Sequence, residues 1–230
     1  MTILGIETST AVCSVGIVRQ SNEHPLHSEK SIIESHIHSE KLLTLVQEVC
    51  DEQQLKLSQL DGIAVSIGPG SFTGLRIGLS AAKGLCFSLE KPLLAVPTFE
   101  SFARSVLMTH PECERVLVCI DAKQREYYIG AYEKINGTVR EVLELYIGSI
   151  ASALPSVHQK TIIVTDAARE VKKESGDSIM IEEVFSHCHG DIIARLGLEK
   201  WSSQGTMDWK QLEPRYLKDF VVNVHKKSEI

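Results

Sequence analysis

Apolar residues recur in short blocks along this chain, and the spacing inside each block separates strands from helices. Residues 3–7 and 11–19 are apolar runs joined by the polar turn Thr8-Ser9-Thr10, so they read as two strands, with a third at 26–33. From about Ser39 to Gln53 the period changes. Leu42, Leu45, Val46 and Val49 fall three and four apart, the face of an amphipathic helix, and Leu43 and Cys50 widen it. Glu40 sits in the first turn, where a carboxylate suits the helix dipole. Residues 61–97, DGIAVSIGPGSFTGLRIGLSAAKGLCFSLEKPLLAVP, then read as strand, glycine-bracketed turn, helix and strand: a βαβ unit. A further helix starts after Pro97 and is broken by His110-Pro111.

The second half repeats this rhythm. Arg115–Asp121 is a strand ending in a carboxylate, as Ile3–Glu7 does. Residues 127–134 and 138–146 form a hairpin around Asn136-Gly137, followed by a short helix near 149–155 and a strand at 161–165. Strand, strand, strand, helix, strand, twice over, predicts a duplicated mixed α/β unit. The N-terminal lobe spans 1–108 and the C-terminal lobe 109–230. Element order alone carries this expectation, because identity between the halves is negligible. The stretch 174–210 is hard to read beyond SHCHGD (186–191) and a helix at 190–200. A helix at about 212–220 is expected to close the chain by packing back on the first lobe.

Bulk properties narrow the class. A chain of 230 residues buries enough surface to fold without staples. The net charge of −6 argues against broad electrostatic binding to nucleic acid by this chain alone. The N-terminus lacks the basic region and apolar core of a signal peptide, and the apolar runs are too short to span a bilayer. Six cysteines form no CxxC pair and sit mostly in apolar segments, which suits a reduced, cytoplasmic setting.

Candidate chemistry is sparse. The loop Gly68–Gly74 precedes a helix but is not a P-loop, since no Gly-Lys-Ser/Thr follows. Such a helix start can receive an anion or serve as a plain strand-to-helix turn, and both readings stand. Glu7, Thr8 and Ser9, with Asp121 at the corresponding strand end, are the candidate lining of a weak nucleotide cleft; turn satisfaction is the simpler role for the hydroxyls. Gly74, Gly78 and Ala82 fall four apart on one helix, a strip of minimal side chains that implies a close neighbour. That neighbour is either this chain's own sheet or a helix of another chain. In the second case Leu75 and Leu79, with Leu42, Leu45, Val46 and Val49, complete a partner interface. His36-Ile37-His38 and His187-Cys188-His189 have a spacing that fits no structural zinc pattern and read as solvated helix-start histidines. Asp121–Glu126 is a charge-rich turn. No Gly-x-Ser-x-Gly elbow and no Gly-Gly turn occurs, so no catalytic residue, metal or cofactor is expected.

Taken together these motifs resemble the bacterial TsaB (YeaZ) family of tRNA threonylcarbamoyladenosine biosynthesis proteins. The matching stretches are GIETST and CSVGIV (5–10, 13–18), HSEKLLTLV (38–46), GPGSFTGLRIGLSAAKGL (68–85), PLLAVPTFESFA (92–103) and PRYLK (214–218); DAKQREYY (121–128) departs from the usual Gly-Glu-Val-Tyr. The resemblance implies a duplicated actin-like (ribonuclease H-like) fold. In the metal-bearing paralogue TsaD a His-x-x-x-His pair follows the Pro-Leu-x-x-Val strand, and Thr98 and Phe102 stand at those places here. Phenylalanine cannot ligate a metal. The resemblance therefore implies a non-catalytic scaffold or activator. Such a subunit dimerises through its N-terminal half with a TsaD-like transferase, recruits a TsaE-like ATPase and forms a homodimer when alone. It meets tRNA only within the complex, and no membrane. The competing reading is an ATP-dependent enzyme of the actin-like kinase class, resting on Glu7-Thr8-Ser9 and Asp121.

Overall fold

In a computed structural model describing residues 1–20, 26–34, 37–176, 178–205 and 209–217, strand order is the same in both halves of the chain. Strands β1 (Thr2–Glu7), β2 (Val12–Arg19) and β3 (Leu26–Ile33) form an antiparallel meander, followed by helix α1 (His38–Glu52). Strand β4 (Gly62–Ser66), helix α2 (Phe72–Leu89) and strand β5 (Leu93–Val96) extend the other edge of the sheet in parallel, and α3 (Thr98–Thr109) leads out. The second unit comprises β6 (Arg115–Asp121), β7 (Tyr127–Ile135), β8 (Thr138–Gly148), α4 (Ile150–Ala153), β9 (Thr161–Thr165), α5 (Ala168–Ser175) and β10 (Met180–Glu183). A 3₁₀ turn over Val184–His187 then enters α6 (Gly190–Gln204). The sheets run β3-β2-β1-β4-β5 and β8-β7-β6-β9-β10, one mixed unit used twice. This is the duplicated actin-like α/β arrangement. Among the described residues no helix is long and apolar enough to cross a membrane.

Burial follows from position in the sheet. All six residues of β1 are buried, as expected for a central strand covered on both faces, whereas edge strand β3 is mostly exposed or half-buried. On one face Leu4, Ile6 and Val65 pack against Leu45 and Val49 of α1 and Leu79 of α2. On the other face Ile3, Ala64 and Leu94 meet Ile193 and Leu196 of α6. Helix α3 packs Phe99, Phe102 and Val106 against Val116, Val118 and Val164 of the second sheet. All six cysteines are free and buried.

Helix α6 reaches the first sheet through glycine. A Cβ on Gly5 would lie 2.0 Å from the Gly190 carbonyl oxygen, and one on Gly16 would lie 2.2 Å from the Asp191 nitrogen. Helix and sheet therefore meet backbone to backbone. This changes the expected lobe anatomy, since residues 190–204, assigned above to the C-terminal lobe, cover the N-terminal sheet. The closing helix near 212–220 is also corrected. Residues 212–217 have no helical structure, and 218–220 lie outside the described residues. Instead Leu212 joins the first core and the Arg215 N–H donates to the Ile67 carbonyl at 2.6 Å, so this segment lies against the first lobe in irregular form. Pro214 explains the change, since it restricts the preceding residue to extended backbone. Helix α5 and strand β10 were not expected from the sequence. Strand β10 has only four residues, and α5 buries one side chain, Val171, so neither shows a period.

Candidate functional site

Between the lobes lies a cleft of about 700 Å³. The first lobe supplies Ser9 and Thr10 from the β1–β2 turn and Gly70–Gly74 at the start of α2; the second supplies Asp121, Lys123, Tyr128 and Asp166. Ser71 caps α2, its hydroxyl accepting the Gly74 N–H at 3.2 Å. Gly68 has φ +108°, a backbone angle that favours glycine, and its Cβ position is closed by the Arg215 carbonyl at 2.8 Å. Across the cleft the Asp121 N–H donates to Asp166 Oδ1 at 2.8 Å, and Lys123 Nζ donates to Asp121 Oδ2 at 2.8 Å. Burial pushes the Asp166 carboxyl above its ordinary range. Lys123, Gln124 and Arg125 all have positive φ (66°, 61° and 63°), so the charge-rich turn is a strained left-handed bend rather than a relaxed connection.

Of the four expected cleft residues, Ser9 and Asp121 line the cleft and Glu7 and Thr8 do not. Both are wholly buried. The Glu7 carboxylate turns inward, Oε1 accepting the Ser9 N–H at 2.6 Å. The hydroxyls of Ser9 and Ser66 lie close enough to favour its charged form, yet neither completes a hydrogen bond of good geometry, and Oε2 is left unpaired. Desolvation outweighs these groups and raises the Glu7 pKa, which favours a protonated acid inside the protein. Thr8 donates its hydroxyl to the Gly74 carbonyl at 2.8 Å.

The small-residue strip is internal. Cβ atoms on Gly74 and Gly78 would lie 2.0 Å from the Thr8 carbonyl oxygen and 2.2 Å from Thr8 Oγ1, so the close neighbour is this chain's own β1–β2 turn. Leu42, Leu45, Val46, Val49, Leu75, Leu79 and Ala82 are likewise buried, none more than 5% exposed, and cannot meet a second chain in this state. The interface assignment to these nine residues is therefore corrected. What faces outward is the adjacent side of the same two helices. A groove between α1 and α2 is lined by Ser39, Leu43, Arg76, Ile77, Ser80 and Ala81, with His38 and Leu42 at its base. Leu43 is 59% exposed, and farther along α2 Phe87 is 74% exposed. At the end near the cleft the Arg76 guanidinium sits 3.9 Å from the Phe72 ring centre, and its Nε–H donates to the Tyr216 hydroxyl at 3.0 Å.

The histidines are not uniformly solvated. His38 is buried with Nε2 3.1 Å from the Val12 carbonyl oxygen. His187 is buried between Ser105 Oγ at 3.0 Å and Glu182 Oε2 at 2.5 Å, and burial lowers its pKa. His36 lies outside the described residues. Thr98 and Phe102 belong to the interior: Thr98 Oγ1 accepts the Gly68 N–H at 3.0 Å, and Phe102 is 1% exposed in the second core.

Comparison with known proteins agrees with this architecture. Residues 32–188 match the family TsaD, tRNA N6-adenosine threonylcarbamoyltransferase. The chain is 30% identical over 75% of its length to the tRNA threonylcarbamoyladenosine biosynthesis protein TsaB of Buchnera aphidicola subsp. Schizaphis graminum, covering 82% of that protein. It is 30% identical over 56% of its length to TsaB of Haemophilus influenzae, where the match spans about half (52%) of the relative. The solved structure of YeaZ from Pseudomonas aeruginosa superposes with a TM-score of 0.79 at 26% identity, covering 94% of this chain and 100% of that one.

Proposed function

The chain belongs to the TsaB (YeaZ) branch of the TsaD family, and from that premise we propose that it is a non-catalytic subunit of the threonylcarbamoyladenosine-forming machinery of tRNA. In this reading it acts in the cytoplasm as a scaffold or activator. It dimerises with a TsaD-like transferase, recruits a TsaE-like ATPase and contacts tRNA only within that assembly. The observation that carries the proposal is the fate of two positions. By the stated resemblance Thr98 and Phe102 stand where the transferase carries its metal-binding histidines. Here one is a buried hydroxyl committed to the Gly68 N–H and the other is core hydrocarbon. Neither side chain can supply the imidazole ligand that metal-assisted transfer requires.

The groove between α1 and α2 supports the partner role. It offers exposed apolar area at Leu43 with Arg76 beside it, and Phe87, outside the groove and edge-on to Trp209, adds exposed aromatic area farther along α2. Aromatic residues and arginine on a locally apolar surface are the composition of interface cores. The test is reconstitution with the paralogous transferase, the ATPase with ATP, preformed threonylcarbamoyl-adenylate as the activated donor, and tRNA. Omitting this chain is expected to abolish modification, and restoring it to recover activity. Full activity of the other components without it would overturn the proposal, as would transfer catalysed by this chain alone.

A further inference from the structure

Two short motifs far apart in sequence converge where α6 meets the first sheet. His27 and Glu29 are alternate residues of β3 and so share one face, opposite Val18 and Gly16 of β2. His189 and Asp191 bracket the first residue of α6. The glycine contact between Gly16 and Asp191 sets the second pair against the first. Glu29, His189 and Asp191 each bring a ligand atom within 4.8 Å of the others, and His27 Nε2 touches Asp191 Oδ2. We propose that Glu29, His189 and Asp191 bind one divalent transition metal of the zinc class, with the exposed His27 turning in from its contact with Asp191 as the fourth donor, and so clasp β3 to the start of α6.

Donor chemistry, spacing and outer-shell support all favour this. Two imidazoles and two carboxylates form a neutral set with a divalent ion and suit tetrahedral zinc, whereas magnesium prefers oxygen ligands. Metal–ligand bonds of about 2.0–2.1 Å put tetrahedral ligand atoms about 3.3 Å apart. His189 Nδ1 lies 3.1 Å and 3.2 Å from the two Glu29 oxygens. His189 Nε2–H donates to the Ser186 carbonyl oxygen at 2.8 Å, which fixes the ring; Nδ1–H is then paired with Glu29, and a bound ion would take the place of that proton. Glu29 Oε1 in turn accepts from Ser14 Oγ at 2.5 Å and from the Gly190 N–H at 3.2 Å, which orients the carboxylate. Asp191 is only 5% exposed and its carboxylate meets His27, a pairing that a bound cation would replace, and the 58% exposed side chain of His27 leaves a path from solvent. The role assigned is structural and separate from the transfer chemistry of the proposed partner.

The experiment uses the full chain stripped with a chelator and titrated with zinc chloride by calorimetry, with magnesium chloride as the control. One equivalent of zinc is expected to bind saturably and raise the melting temperature, while magnesium gives neither effect. His27→Ala and His189→Gln are each expected to weaken zinc binding about tenfold or more. His27→Ala changes an exposed side chain and, with an unchanged circular dichroism spectrum, decides the matter even if the other variant misfolds. Absence of saturable zinc binding, an equal response to magnesium, or full affinity in folded His27→Ala would overturn the site.

Discussion

Glu7 is the residue whose environment departs most from its expected role. Placed at a strand end, it looks like a cleft carboxylate, yet it is wholly buried and its pKa is raised mainly by desolvation. The folded protein therefore holds a proton there that the unfolded chain, with a carboxyl near 4.5, releases sooner. Stability contributed by neutral Glu7 is full below pH 4.5 and is lost as pH rises through the raised folded value. Glu7→Gln keeps the shape, removes the titration and presents an NH₂ donor toward the Ser9 and Ser66 oxygens. Its melting temperature is expected to depend less on pH than the parent's above pH 4.5, and to equal or exceed the parent's once pH passes the raised folded value. Thermal denaturation across that range checks this; a lower melting temperature at every pH would show that the carboxylate itself stabilises the fold.

At the scale of elements, α1 and α2 show how a correct period leaves the use of each face undecided. Their apolar stripes are real, but the stripe with the smallest residues is consumed by the Thr8 turn and the first core. The exposed remainder, Leu43 with the groove beside Arg76 and Ile77, is the surface left for another chain. Neighbouring residues should therefore behave oppositely. Leu43→Glu is expected to shift the urea midpoint by no more than about 0.5 kcal/mol of stability, while weakening association with the transferase at least about tenfold. Leu42→Glu is expected to cost more than about 3 kcal/mol and to prevent folding, because it buries an unpaired charge. Denaturant titration and gel filtration with the partner separate the two effects. If folded Leu43→Glu associates normally, the groove is not the docking surface.

For the whole molecule, α6 is the decisive connection. It leaves the second unit after β10 and covers the far face of the first sheet, where Trp201 packs against Gly62. Trp209 adds to the opposite core of the same lobe. Both tryptophans thus report on the first lobe although they lie late in the chain. A molecule tied in this way is expected to unfold as one unit, so tryptophan fluorescence and far-ultraviolet circular dichroism should trace coincident urea transitions. Two separated midpoints would show that the lobes are energetically independent despite the strap.

Much of this protein is written in its local pattern. The strands over Thr2–Glu7, Leu26–Ile33 and Arg115–Asp121, the helices α1 and α2 and the repeated element order follow from side-chain period and turn chemistry. Those are properties of residues a few positions apart, which is why the sequence alone reaches them. Tertiary structure decided what no local pattern encodes. It turned Glu7 inward, gave the Gly74–Gly78 strip to Thr8, and laid α6 on the first sheet through Gly5 and Gly16. It also brought His27 and Glu29 to His189 and Asp191 across 160 residues of chain. Each of these depends on which distant backbone comes within van der Waals contact, and that is settled only when both sheets and the returning helix close around their shared cores.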